Sequence, residues 1–406
     1  MLLLSPISVA VVGLAALVLF VVRRLSSPLR KIPGPRVSAF TSLELKRNEF
    51  AANRTLYIHD LHLRYGPVVR VAPNEVSFTS WAALKEIYCS SGSGYDKSDF
   101  YDLFKVYGRR TMFTTLNKAD HAKRKRVLAD RYANSNIMRG PAIGGIQERS
   151  RKFLQRCTSA GEQAHDIFTS KCPDPATFTL MSRLREKMGE ELDSTDAAAE
   201  CLDHMAAGVD TTGDGLCFLM WELSQPRSLE FQRRLQEELR QNRDLPLDQL
   251  PFLDAVVSEG LRCFPPIPMS LPRHVPAGGR TIDGTWIPGG TLVSCQAYSV
   301  QRLNHDVYPE PQKFNPDRWL QAEGDTERRR LLFAFSNGGR GCVGKHLALA
   351  EMKTLLRDVY SDYGTTPHVS MTDEAMAVSD QLISSRPLGQ RCLLHFRPLN
   401  LGEAKA

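Results

Sequence analysis

Residues Leu2 to Val22 are 21 consecutive positions without a charged side chain. As a helix such a run is about 31 Å long at 1.5 Å per residue, which matches the hydrocarbon thickness of a bilayer. Arg23 and Arg24 stop it, and Arg30 and Lys31 follow. A cleaved signal peptide would need a basic start, a shorter apolar core and a small-residue cleavage site. Here the positive charges come after the run, which puts the N-terminus in the lumen and the body in the cytosol. A single-pass anchor is therefore predicted. Pro33-Gly34-Pro35 comes next, a stretch that supports no regular element and predicts a stiff elbow between anchor and body.

The body is long enough for two or three domains of about 150 residues, or for one large α-rich domain. With 42% hydrophobic and 24% charged residues the chain buries a sizeable core, which excludes disorder, collagen and small disulfide scaffolds. Its nine cysteines are an odd set, and no two lie closer than the 15 positions from Cys157 to Cys172. That spacing excludes CxxC redox motifs and zinc knuckles and argues for a reducing compartment. The net charge of +7 is spread without a basic block. No nucleic-acid partner is indicated, and an acidic protein or anionic lipid surface fits better.

Val68-Val69-Arg70-Val71 and Val76-Ser77-Phe78 alternate around Pro73-Asn74 like a short hairpin, Trp81 to Cys89 reads as a helix, and Ser90 to Gly94 as loop. A basic helix starts near Asp120 and carries His121, Lys123, Arg124, Lys125 and Arg126. A long apolar-periodic helix is predicted from Ser194 or Thr195, either of which can cap it, to Leu223. In its middle, Ala206-Ala207-Gly208-Val209-Asp210-Thr211-Thr212-Gly213 puts small, polar and acidic residues where a buried helix holds large apolar ones. Thr211 and Thr212 can bond back to carbonyls and bend it, as at a helix opened beside a ligand. Phe252 to Cys263 forms another helix, with Glu259 and Arg262 three apart on one face. On spacing alone that is a surface pair of little worth. Thr281 to Cys295 holds two glycine turns between β-prone runs and predicts a small antiparallel sheet. The whole is mainly α with small β-sheets.

Residues 335–344 read Phe-Ser-Asn-Gly-Gly-Arg-Gly-Cys-Val-Gly and lead into a helix. Gly339, Gly341 and Gly344 satisfy G-x-G-x-x-G, so a dinucleotide-dependent oxidoreductase competes if Leu331 to Phe335 is a strand. That fold needs an acid about 20 residues on, at the end of a second strand. Asp358 and Asp362 fall in or just after the predicted helix instead. The other reading centres on Cys342, because a helix start favours the thiolate. A thiolate can be the axial ligand of haem iron. Gly338 and Gly344 would then be needed because a side chain would strike the macrocycle or distort the turn. Arg340 can pair with a haem propionate.

At these positions the sequence resembles the cytochrome P450 family, in its microsomal, fungal-like form. Phe335, Gly338, Arg340, Cys342 and Gly344 match the F-x-x-G-x-R-x-C-x-G haem signature, and Ala348 and Glu351 continue it. Glu259 and Arg262 match the family's E-x-x-R pair, with Arg318 as third member. The resemblance turns that pair into a buried network behind the cysteine loop, where removing one partner strands a charge. Ala207 to Thr212 matches the oxygen-activation motif, with Asp210 and Thr211 as the implied proton relay. His121 and Lys125 resemble the helix pair that binds a propionate, although Lys125 stands where the family has Arg and lacks its planar fork. Arg273, with His274, resembles a further propionate contact.

What the resemblance implies is a P450-like fold with haem b (iron protoporphyrin IX) held by Cys342. Residues 1–22 would be the anchor, 23–36 a basic Pro-Gly hinge and 37–406 the catalytic domain, cytosolic on the endoplasmic reticulum membrane. Electrons would come from NADPH through cytochrome P450 reductase, the substrate would be a lipophilic small molecule, and secondary metabolism is the implied role. Relatives usually have about 500 residues, so this chain is short by about 100. The deficit falls between Lys125 and the central helix, over about 135–193, with Cys172-Pro173-Asp174-Pro175 as its junction. Either it is a natural short form, or it comes from a truncated or mis-spliced gene and is catalytically impaired. A haem-thiolate isomerase or dehydratase is a further alternative that intact Asp210-Thr211 disfavours.

Overall fold

A computed structural model describes residues 6–89, 94–158, 180–187 and 193–399. The Cys172–Pro175 junction and most of the 90–94 loop lie outside the described residues. The apolar run forms the helix Pro6–Leu25. Its Ile7–Leu25 span has a mean hydropathy of 2.2 and none of it is buried against the rest of the chain. Most of its apolar side chains are exposed, which is compatible with a membrane anchor. The Pro-Gly-Pro stretch is stitched down: the Pro33 carbonyl accepts the Arg70 N–H at 2.8 Å. A Cβ on Gly34 would collide with the Arg70 carbonyl, so only glycine permits this approach to the first strand.

The described chain is mainly helical, with one five-stranded sheet and three strand pairs. The predicted hairpin pairs Val68–Ala72 with Glu75–Phe78. The segment expected to be one antiparallel sheet divides. Arg280–Ile282 pairs with Thr285–Ile287, whereas Leu292–Cys295 runs parallel to Glu75–Phe78 in the main sheet. Val293, Ser294 and Cys295 are fully buried there, so tertiary burial rather than the nearby turns chooses the partner. Arg273–His274 and Asp96–Lys97 complete the sheet, and their register sets Lys97 opposite Arg273.

The largest helical cluster gathers the helices Ser194–Leu223, Leu229–Gln241, Pro251–Cys263 and Lys345–Tyr360. Leu253, Val256, Val257 and Leu261 supply the buried stripe that their spacing predicts. The central helix Ser194–Leu223 is capped one residue earlier than expected. Asp193 accepts the Asp196 N–H at 2.8 Å in a capping box, with Ser194 and Thr195 already in the helix. Leu331 to Phe335 is not a strand: a helix Asp325–Leu331 runs into irregular chain, and Asp358 sits inside Lys345–Tyr360. The dinucleotide reading thus loses its first strand.

Candidate active site

The cysteine loop is folded by its own backbone. The Cys342 N–H donates to the Phe335 carbonyl at 2.9 Å, and the Gly341 N–H to the Gly338 carbonyl at 3.0 Å. Gly338 has φ of 69°, and a Cβ there would collide with the Tyr88 carbonyl. Glycine at 338 is therefore demanded by the turn and by Tyr88. At Gly344, which caps Lys345–Tyr360, a Cβ would meet only the Cys342 sulfur at 3.8 Å, so the protein alone does not demand glycine. Lys125 reaches from the helix Lys118–Leu128 and donates to the Gly339 and Gly341 carbonyls at 3.0 and 3.1 Å. The Lys125 ammonium thus ties two carbonyls of the cysteine loop to the basic helix.

Cys342 keeps an open face, although enough protein encloses its sulfur for burial to raise the thiol pKa. The Gly344 and Lys345 N–H groups and the two lysines, Lys125 and Lys345, pull the other way and favour the thiolate.

Beside the loop lies a buried group of cations. Arg340 donates to Asp96 at 3.3 Å through Nη2, but its Nε and Nη1 are buried without a hydrogen-bond partner among the described residues. Burial, then the neighbouring Arg273, lowers its pKa to about 10. Arg273 is held by the Tyr101 hydroxyl at 2.8 Å and by the Pro272 carbonyl at 3.0 Å. Lys97, 5% exposed, bonds the Phe113 carbonyl and lies over the Tyr101 and Phe113 rings. Its pKa is pushed far down by burial and then by Arg273 and Arg340. His121 is buried with its pKa lowered to about 3, by burial and then by Lys97, Arg340, Lys125 and Arg273. Unpaired donors and mutually repelling cations fit a ligand with carboxylates, as the propionates of haem are. Lys97 escaped sequence reasoning, since its only pointer is a two-residue strand paired 176 positions away.

Behind the loop the structure gathers Glu259, Arg262 and Arg318. Arg262 donates to both Glu259 oxygens at 2.8 and 2.9 Å, and Arg318 to Oε1 at 3.1 Å. The Asn315 N–H and the Trp319 indole complete the carboxylate's shell. Burial alone would raise the Glu259 pKa, but Arg262 and Arg318 hold it below the usual range. Glu259 and Arg262 are fully buried, so the surface-pair expectation from spacing fails.

On the central helix Thr211 back-bonds to the Ala207 carbonyl at 2.7 Å. Asp210 does not stand free: Arg386 takes its carboxylate at 2.8 Å and that of Asp214 at 3.3 Å. Leu202, Met205 and Val209 form an exposed apolar stripe on the same helix.

Comparison with known proteins agrees with this frame. The cytochrome P450 family description matches residues 142–377. The chain is similar to cytochrome P450 monooxygenase stcB of Emericella nidulans, at 28% identity over 91% of this chain and 88% of the relative. It is similar to cytochrome P450 monooxygenase orf2 of Aspergillus niger, at 28% over 96% and 97%. A third relative is benzoate 4-monooxygenase bphA of Aspergillus niger, at 25% over 88% and 92%. The stcB alignment runs over 464 positions, whereas 91% of 406 residues is about 369, so about 95 positions of that relative have no counterpart inside the aligned span. The family match covers more than half of the chain and runs through the central helix, the Glu259 network and the cysteine loop, and on that ground the chain belongs to the cytochrome P450 family.

Proposed function

We propose that the chain is a haem-thiolate monooxygenase, anchored by its first helix to the endoplasmic reticulum membrane with the catalytic body in the cytosol. It would take electrons from NADPH through cytochrome P450 reductase and oxidise a lipophilic small molecule. The observation that carries the reading is the pair of partnerless buried nitrogens on Arg340, two residues from Cys342 and beside Arg273 and Lys97. Haem b, when bound, supplies the activation of O2. Cys342 would hold the iron, with its charge eased by the Gly344 and Lys345 N–H groups; Arg340, Arg273, His121 and Lys97 would hold the propionates. Lys125 fixes the loop that presents the sulfur. Asp210 and Thr211 would move protons on the distal side, with Asp210 released from Arg386 to do so. The secondary-metabolite role is supported by the fungal relatives.

The test is Cys342→Ala. We expect loss of haem or of the red-shifted ferrous-CO Soret band, while alanine at Cys263 or Cys295 leaves the band in place. A band unchanged in Cys342→Ala overturns the assignment.

A second reading, a haem-thiolate protein impaired in catalysis, is favoured by the about 95 positions of the stcB relative that have no counterpart in this chain. A pocket open to water weakens the electrostatic interactions that steer protons. Tight binding of lipophiles with well-coupled turnover would reject it.

A further inference from the structure

We propose that Glu200, Asp203 and His204 form a binding site for one first-row divalent cation of the zinc type, on the turn of the central helix before the Ala207–Thr212 motif. One donor atom from each lies within 4.8 Å of the other two. Their spacing of i, i+3 and i+4 puts all three on one helix face. The Glu200 and His204 side chains are 2% and 9% exposed, so neither is a solvated surface group. Each also presents a buried atom that has no hydrogen-bond partner among the described residues. Glu200 Oε1 accepts the Met112 N–H at 2.8 Å and Arg124 at 3.0 Å, but Oε2 has no hydrogen bond. His204 Nδ1 meets the Tyr132 hydroxyl at 2.6 Å, but Nε2 has no hydrogen bond.

These two atoms lie 3.5 Å apart, in reach of an ion pair when the imidazole is protonated but too far for a good hydrogen bond. A good charge-assisted bond between them would be about 2.7–2.9 Å long. Two donors on a tetrahedral zinc, each about 2.1 Å from the metal, stand about 3.4 Å apart. The Glu200–His204 pair therefore already has the bite of a metal ligand pair. Asp203 closes the third position by a rotamer shift, and water takes the fourth. An imidazole with two carboxylates, and no cage of oxygens, selects zinc-type ions over calcium or magnesium. With the metal on Nε2, the Nδ1–H donates to the Tyr132 oxygen, so Tyr132 fixes the tautomer. The site lies about 9 Å (His204) to about 15 Å (Glu200) along the helix from Asp210 at about 1.5 Å per residue. It would pin the basic helix, through Arg124, and Tyr132 to the central helix.

The haem-loaded full chain, stripped with a chelator, is titrated with zinc chloride in competition with a chromophoric chelator. We expect one zinc per chain, and X-ray absorption showing only nitrogen and oxygen neighbours at about 2.0–2.1 Å. His204→Ala should weaken binding at least tenfold and Tyr132→Phe about tenfold. His204→Gln, which keeps a bond to Tyr132, serves if the alanine variant does not fold. No stoichiometric zinc, an affinity unchanged in the His204 variant, or sulfur neighbours at about 2.3 Å from the free cysteines would each overturn the site.

Discussion

Arg386, on the strand Ser385–Pro387, holds the Asp210 carboxylate at 2.8 Å across 176 residues of sequence. The same guanidinium holds Asp214, whose pKa burial raises and Arg386 lowers. Arg386 and Asp210 are both largely exposed, so breaking that pair by Arg386→Gln should itself change the unfolding free energy by less than about 1 kcal/mol. If Asp210 carries protons, releasing it should lower the share of NADPH electrons lost as peroxide. An unchanged peroxide yield would take Asp210 off the proton route.

Glu259→Ala leaves Arg262 and Arg318 buried without their counter-ion. Loss of about 3–5 kcal/mol is expected. Urea unfolding of the two proteins measures it, and a loss under 1 kcal/mol would deny the network a structural role.

His59 and His62, together with His121, contribute to the pH dependence. Burial lowers His59 and His62 from 6.5 to about 4, with Arg302 adding to the effect at His59. The folded chain refuses protons that the unfolded chain takes up below about pH 6.5. Stability is thus full above that pH and falls as the pH drops toward 4, by up to about 1.4 kcal/mol per unit for each histidine. Urea midpoints at pH 7.5, 6.5 and 5.5 follow this, and His62→Gln should reduce the slope by about one proton. An equal slope in that variant would locate the acid sensitivity elsewhere.

The basic helix offers Lys123 and Arg126 to solvent, whereas Arg124 turns inward to the buried Glu200. Reversing Lys123 and Arg126 should slow reduction by a flavoprotein reductase at low salt and flatten its salt dependence. Arg124→Glu should instead destabilise the fold. Reduction at the parental rate in the double reversal would assign the two exposed residues to simple solvation.

What the sequence disclosed tracks how local each signal is. The cysteine loop is a contiguous string whose glycine at 338 answers to a positive φ, so its spacing alone carries the turn. The helix Pro251–Cys263 is legible from its apolar stripe, but the burial of Glu259 is not. An i, i+3 ion pair looks the same in water as in a core, and only the family resemblance raised the second reading. Lys97 and Arg386 act through pairings across more than 170 positions, which no local pattern encodes. Asp193, Ser194 and Thr195 all suit an N-cap, so residue type alone does not single out Asp193 as the cap.

The crowding of Lys97 against Arg273 and Arg340 has a cellular consequence. Like charges held together in a core are a standing penalty on the folded chain, and a dianionic guest relieves it. The folded population then rises with the free concentration of that guest. Under iron starvation such a protein is expected to be cleared by proteolysis instead of being stored as an empty precursor, so tetrapyrrole supply as well as transcription would ration its abundance.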